Sequence, residues 1–327
     1  MKLLNYLGMV IVITVLGILY KRYQKKYEPD YELKQYDLVK KYLLNDEMIH
    51  GRPNLWIHIN YQRNGRNWES FNSRLSDDLN KPYVEMCVES IIKYNDNYFN
   101  IFIINDESFG KLLSDWDIDM NNVPEPIKSK ARQYGLCKLL YHYGGINVPS
   151  SFVCTKSLLP FFNTGVMKSK MFCVETLNKT VNYNEKQFAC DGIMMGCIKY
   201  NKSIGELCKY MNEMLNVEDQ KTVINGNNCG LWLEERKNTF DVNVMDGKLI
   251  GVKDEEGEPI ELDDLLGATP IKYNFNKYGV LIDEKMLDKR LKYEWFNRLS
   301  KEQIFESNTE IGKVFLLSHG EGVVREL

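Results

Sequence analysis

The sequence predicts an α/β fold: a mostly parallel sheet with helices packed on its faces. Three observations lead there. Two short runs, residues 55–59 and 99–104, are apolar on both faces, the pattern of strands buried in a parallel sheet. Helical periodicity separates them, giving the alternation from which such sheets are built. A third unit, residues 130–154, combines an amphipathic helix, a double glycine and a short strand.

Taken in order, the globular part opens at Pro53. Leu55, Ile57 and Ile59 mark the first strand, in which His58 is the one polar side chain. A long polar stretch, residues 60–80, carries Arg63, Arg66, Trp68, Arg74 and Asp77. It reads either as a functional loop, with guanidiniums for phosphate, or as a solvated excursion. Val84, Cys87, Val88, Ile91 and Ile92 form one face of the next helix, with Pro82 tolerated in its first turn. The second strand runs into Asn105 and Asp106. A carboxylate there is placed to touch a ribose or base, or one of the two residues caps a helix over 108–116. Leu136, Leu139, Leu140 and Tyr143 then recur at helical spacing. Gly144-Gly145 ends that helix, because glycine accepts the left-handed conformation of a C-terminal cap. Ile146-Asn147-Val148 is the third strand, and Pro149 stops its ladder for want of an N–H. It opens into Ser150-Ser151, at the strand end where ligands sit in open α/β sheets.

Beyond Cys154 the signals thin out. A short apolar turn (158–162) and a strand (171–174) come first. Asp191 then precedes a segment, 192–197, whose glycines would let backbone approach a ligand closely. Ile204, Leu207, Cys208, Met211 and Leu215 line a core-facing helix. Asn225-Gly226-Asn227-Asn228 reads as a turn, and Asp246-Gly247 as a hairpin turn within 242–250. Residues 283–308 read as helical, with Ser300 and Gln303 forming a capping box and Trp295 and Phe296 docking the segment.

A net charge of −3 with 27% charged residues describes an ordinary surface without the basic excess that nucleic acid requires. The 8 cysteines contain no CxxC pair, which argues against zinc, and their apolar surroundings suit buried free thiols. No metal ligand set is predicted.

Residues 140–146, Leu-Tyr-His-Tyr-Gly-Gly-Ile, resemble the signature of glycosyltransferase family 32 and the related capsular-polysaccharide-synthesis transferases. The strand holding His58 resembles the family's opening strand, and the likeness covers about residues 53–215. It implies a GT-A-like (Rossmann-like) fold of nucleotide-diphospho-sugar transferase type. The nucleotide half would be about 53–154, and the acceptor half with the C-terminal helices about 155–327. The likeness and the strand-end rule together mark His58, Asn105, Asp106, Arg132, Gln133, Gly144, Gly145, Asn147, Ser150 and Ser151 for substrate binding. Asp191 is the candidate catalytic carboxylate. The family's chemical positions are replaced: Gln133 stands for the helix Asp, Leu136 for the Arg, and Pro149-Ser150-Ser151 for the Asp-x-Asp. Hydroxyls are poor substitutes for carboxylates that hold Mg²⁺ or Mn²⁺. Of Lys130, Arg132 and Lys138 on the preceding helix, those on its site-facing side would then serve as fixed cations for a departing diphosphate, Lys130 and Lys138 being two turns apart and roughly aligned, and the transfer would be metal-independent.

The run from Leu3 to Tyr20 is apolar and uncharged. As a helix it would be about 27 Å long, against a bilayer core of about 30 Å. It predicts a membrane anchor over residues 1–26 and a stalk over 27–52. A cleaved signal peptide and an interfacial helix are the alternatives. Lys21, Arg22, Lys25 and Lys26 follow at once and place the large domain on the cytoplasmic side. Two sequons, Asn178-Lys179-Thr180 and Asn201-Lys202-Ser203, point instead to the lumen. Two functions follow as expectations. One is a membrane-anchored glycosyltransferase taking a nucleotide sugar and a glycan acceptor. The other is a non-catalytic GT-A-fold membrane or virion component binding a glycan, nucleotide or protein. A nucleophile at Ser150, Ser151 or Cys154 lacks the GxSxG elbow.

Overall fold

A computed structural model describes residues 49–59, 81–125, 127–178, 188–216, 228–237 and 241–320. The chain divides into two units, and the described residues fall within one of them, Asp46–Gln62 together with Leu79–Leu327. The anchor from Leu3 to Tyr20, the stalk up to residue 48, the polar stretch 60–80 and residues 225–227 lie outside the described residues. Among those described, no helix is long and apolar enough to cross a membrane.

The first half of the unit alternates as expected. Strand β1 (Asn54–His58) is followed by α1 (Pro82–Asn95), β2 (Asn100–Ile104), α2 (Ser108–Leu112), α3 (Ile127–Tyr143) and β3 (Gly145–Asn147). Then come β4 (Phe152–Cys154), α4 (Leu159–Gly165), β5 (Met171–Leu177), β6 (Phe188–Cys197), α5 (Lys202–Asn216) and α6 (Asn228–Arg236). The chain continues through β7 (Val242–Met245), α7 (Leu262–Leu266), β8 (Gly279–Leu281), α8 (Glu284–Lys289), α9 (Glu294–Asn297), α10 (Lys301–Glu306) and α11 (Glu310–His319). Residues 49–52 are already tied to the unit. Ile49 N–H donates to Asn100 Oδ1 at 3.1 Å, and Arg52 donates to the Asp96 carbonyl at 3.0 Å.

The main sheet has six strands in the order β2-β1-β3-β6-β5-β7. Pairs β1/β2, β1/β3 and β5/β7 are parallel, and only β6 runs against its neighbours. The fold is therefore mixed α/β with a mostly parallel central sheet. A second sheet pairs β4 with β8 antiparallel. From β1 the chain moves to β2 on one side, then crosses back through α3 to β3 on the other. The order thus reverses at β1, and in open α/β sheets such a reversal puts the ligand crevice outside the carboxyl ends of the two strands concerned, here β1 and β3.

Two apolar clusters hold the unit. Trp56, Cys137, Leu139, Leu140, Met195, Ile204, Leu207 and Trp232 join β1, α3, β6, α5 and α6. Tyr83, Met86, Val153, Val280, Phe296 and Phe315 join α1, the small sheet and the C-terminal helices. Each fully buried Leu, Ile, Val or Phe contributes about 1.5–3 kcal/mol relative to exposure. The cysteines are free thiols, all buried except the half-buried Cys208.

The link from α3 to β3 is the tightest joint. Gly144 and Gly145 have φ of 69° and 105°, in the region that side chains disfavour. A Cβ on Gly145 would stand 2.1 Å from the Asn54 carbonyl oxygen, and one on Gly144 would be 2.7 Å from Lys199 N.

Three expectations change. Asp246-Gly247 makes no hairpin: β7 pairs parallel to β5, and Asp246 Oδ1 accepts from Lys248 N at 2.9 Å to cap a 3-10 turn. The α2 helix stops short of residue 116 because Leu113 is extended. The C-terminal segment is a chain of short helices. Its Ser300–Gln303 capping box forms and Phe296 is buried, but Trp295 stays 44% exposed.

Gly145→Ala is expected to lower unfolding free energy by about 3 kcal/mol or more, from strained φ plus the clash with Asn54. Gly257→Ala, with positive φ but only an ordinary contact with the Lys248 side chain at 3.7 Å, is expected to cost about 1 kcal/mol. Urea midpoints of the two variants check the ranking.

Candidate functional site

The carboxyl edge of β1 and β2 gathers a charged cluster on Asp106. Asn105 is consumed locally, its Oδ1 accepting from Ser108 N at 3.1 Å and from the Ser108 hydroxyl at 2.8 Å. That turn leaves Asp106 facing α3. Arg132 meets it in a two-pronged pair, Nε to Oδ1 and an Nη to Oδ2, both at 2.7 Å. Lys128, one helical turn earlier on the same face, lies 3.6 Å from Oδ2. His58 Nε2 lies 3.0 Å from Oδ1, and its ring stacks on Phe109 with centroids 5.6 Å apart. Arg132 also donates to Glu125 Oε1 at 3.0 Å. Burial by itself would push the Asp106 carboxyl up. The Arg132 and His58 hydrogen bonds outweigh that and hold it well below the usual carboxylate range.

A second group forms where α3 meets β6. Gln133 Nε2 donates to the Asp191 carbonyl at 2.9 Å, and Asp191 Oδ1 accepts from Ile193 N at 2.9 Å. Asn147, at the end of β3, donates to the Ile193 carbonyl at 3.0 Å. Helix, strand end and the antiparallel β6 are thereby stitched around half-buried Asp191. Nearby, Glu234 accepts from Cys190 N at 3.1 Å. The glycines after Asp191 serve packing in this structure. A Cβ on Gly192 would stand 2.5 Å from Cys229 Sγ, and one on Gly196 would be 2.4 Å from the Phe172 ring.

The sequence-marked residues thus divide. His58, Asp106 and Arg132 come together, as do Gln133, Asn147 and Asp191. Ser150 and Ser151 follow β3 in a buried turn, 9% and 2% exposed, with the Ser151 carbonyl accepting from Ile282 N at 3.0 Å. Gly144 precedes β3 and Gly145 is its first residue, so both stand at its amino end, where Asn54 and Lys199 dictate glycine. Lys138 is drawn off by Asp115, 2.6 Å away. The Lys130 Nζ is buried without a hydrogen-bond partner, and that burial pulls its pKa down. Cys154 is buried and its thiol is pushed up to about 12, which leaves almost no thiolate near neutral pH. Asn201 accepts from Ser203 N and Ile204 N and donates to Ser169 O, so its amide caps α5 and is closed to a glycan.

The residues at the end of β3 do not fit a hard divalent ion. They offer buried hydroxyls and a proline, and no group of three or more His, Cys, Asp or Glu side chains gathers among the described residues. Lys128, Glu125 and Phe109 were missed in the sequence. The i, i+4 spacing of Lys128 and Arg132 was the available signal. Phe109 offered none.

No protein-family model and no curated protein matches the chain. The solved structures similar to it include three glycosyltransferases. PaToxG glycosyltransferase shares 12% identity over 56% of this chain and 69% of its own, with a TM-score of 0.34. GlyE of Streptococcus pneumoniae TIGR4 shares 9% over 60% of this chain but only 46% of its own length, at 0.34. The galactosyltransferase LgtC, in complex with donor and acceptor sugar analogues, shares 11% over 61% and 75%, at 0.33. At such identity and superposition none of them assigns an activity to this chain.

A carboxyl held below its ordinary value stabilises the fold above its unfolded pKa of about 3.9, and that contribution fades as pH falls toward the folded value. Asp106→Asn is therefore expected to cost about 2 kcal/mol at pH 7, less than the roughly 3–5 kcal/mol of a fully buried pair. The gap to wild type is expected to narrow below about pH 4. Urea unfolding at pH 7 and pH 3 measures both.

Proposed function

We propose that the chain is a glycosyltransferase-like protein of nucleotide-diphospho-sugar transferase type, tethered to a membrane by the run from Leu3 to Tyr20. The large domain sits on the cytoplasmic side in this reading. The observation that supports it is the reversal of strand order at β1, which opens a crevice flanked by His58, Asn147 and the Asp106–Arg132 cluster. The nucleoside end of a donor lies toward His58 and Asp106. The diphosphate lies toward α3, where Lys128 and Arg132 supply positive charge from one face of the helix. As the bond from the anomeric carbon to the diphosphate breaks, those N–H groups take up the charge left on the leaving oxygen. Asp191 receives the proton of the acceptor hydroxyl as the new glycosidic bond forms. Gln133 and Asn147 keep the Asp191 segment in register with the crevice.

A second reading keeps the donor site and drops the chemistry: a GT-A-like binding protein for a glycan, nucleotide or protein. The observation favouring it is that Arg132 and Asp106 satisfy each other, leaving less net charge for a diphosphate.

Sugar-nucleotide turnover by the full chain, measured with and without Mn²⁺, tests the first reading, which expects equal rates in both. Asp191→Asn is expected to lower the rate by about 10²–10⁴-fold with affinity for uridine or guanosine diphosphate sugars unchanged by calorimetry. Binding without turnover leaves only the second reading. Neither binding nor turnover overturns both.

A further inference from the structure

A cavity of about 500 Å³ lies at the carboxyl ends of β4 and β7, beside α4, and shares no lining residue with the Asp106 and Asp191 groups. Its size falls within the roughly 300–1,000 Å³ typical of small-molecule sites. Lys156, Ser157, Phe161, Thr164, Asn276 and Tyr278 line it, with Pro160, Met245 and Leu249. No carboxylate is among these residues. Phe161 is fully buried beneath the site and packs edge to face on Tyr278 with centroids 5.3 Å apart, so the half-buried Tyr278 ring is the aromatic surface a ligand can reach. The polar groups are rich in donors. Lys156 spends one N–H on the Phe275 carbonyl at 2.8 Å and keeps two. The Ser157 and Tyr278 hydroxyls and the Asn276 amide add further donors. The surroundings are positive as well. Burial and the neighbouring charge of Lys156 hold the Lys277 ammonium below its ordinary pKa, with Glu310 opposing.

An aromatic wall takes the apolar face of a sugar ring, as it takes other flat amphipathic groups. A donor-rich rim with an ammonium and no carboxylate takes an anion. We propose that this cavity is a saccharide-binding site separate from the donor crevice, and that it takes a sugar unit bearing a carboxylate or phosphate. The ring lies against Tyr278, and the anionic group lies on Lys156. The site does not depend on the glycosyltransferase reading. It holds its ligand whether or not the crevice turns over a sugar nucleotide.

The test is a titration of the full chain, followed by NMR or calorimetry, with glucuronate, glucose 6-phosphate, glucose and inorganic phosphate as probes. At least one anionic sugar is expected to saturate the site, tenfold or more tighter than both glucose and inorganic phosphate. Lys156→Gln is expected to weaken that sugar about tenfold and leave glucose unchanged. Asn276→Ala, at an exposed position, is expected to weaken both sugars without disturbing the fold. Equal binding of phosphate and sugar phosphate would reduce the cavity to a plain anion site and overturn the proposal. So would affinity unchanged in Lys156→Gln, or absence of binding by every probe. Donor binding at the crevice, read separately by calorimetry with uridine or guanosine diphosphate sugars, is unaffected by either cavity variant.

Discussion

The backbone of Gly145 passes so close to the Asn54 carbonyl that no side chain fits between them. That approach sets β3 directly beside β1, in register from Leu55 with Ile146 to Trp56 with Asn147. Because β2 already occupies the other side of β1, the strand order turns back at this point, the topology that places a ligand crevice beyond the strand ends in open α/β sheets. Trp56 reinforces the joint by donating its indole N–H to the Gly144 carbonyl at 2.9 Å, and Asn54 Nδ2 donates to the Tyr143 carbonyl at 3.0 Å. The glycines are therefore structural causes of the site although they stand at the opposite end of the strand from it.

The same crossing positions α3 across the sheet, and its two faces then do different work. Lys128 and Arg132 look toward Asp106 at the end of β2, while Gln133 looks toward Asp191 at the start of β6. Only a helix running past both strand ends can hold a cation cluster and a carboxylate segment in one frame. The Asp106–Arg132 pair fixes the rotation of that helix, since a two-pronged contact tolerates little twist. What it gains in geometry it loses in free charge, since the Arg132 guanidinium is already spent on a carboxylate.

The second half of the unit follows a different logic. With β6 entering antiparallel, its amino end reaches the edge where the other strands have their carboxyl ends, and this brings Asp191 to the crevice. The chain beyond β7 builds the small sheet partner β8 and the C-terminal helices, whose apolar residues close over α1 and β4. A buried hydrogen-bond chain seals that layer. Ser90 Oγ accepts from Cys154 N at 2.9 Å, and Ser318 Oγ donates to the Cys154 carbonyl at 2.8 Å.

Local chemistry in the sequence was enough to mark the strands around Leu55 and Ile101, the helix ending at Tyr143 and the need for glycine at 144 and 145. Those features depend on residue spacing and backbone freedom, which a linear reading contains. It also marked His58, Asp106, Arg132 and Asp191 as separate polar residues near element ends. Which of them meet was decided only in three dimensions. The reversal of β6 brought Asp191 to the edge, and the rotation of α3 spent Arg132 on Asp106. Burial turned Ser150, Ser151 and Cys154 inward. The parallel pairing of β7 with β5 overrode a dipeptide that locally favours a hairpin, because a strand's direction is set by its neighbours in the sheet rather than by its own residues.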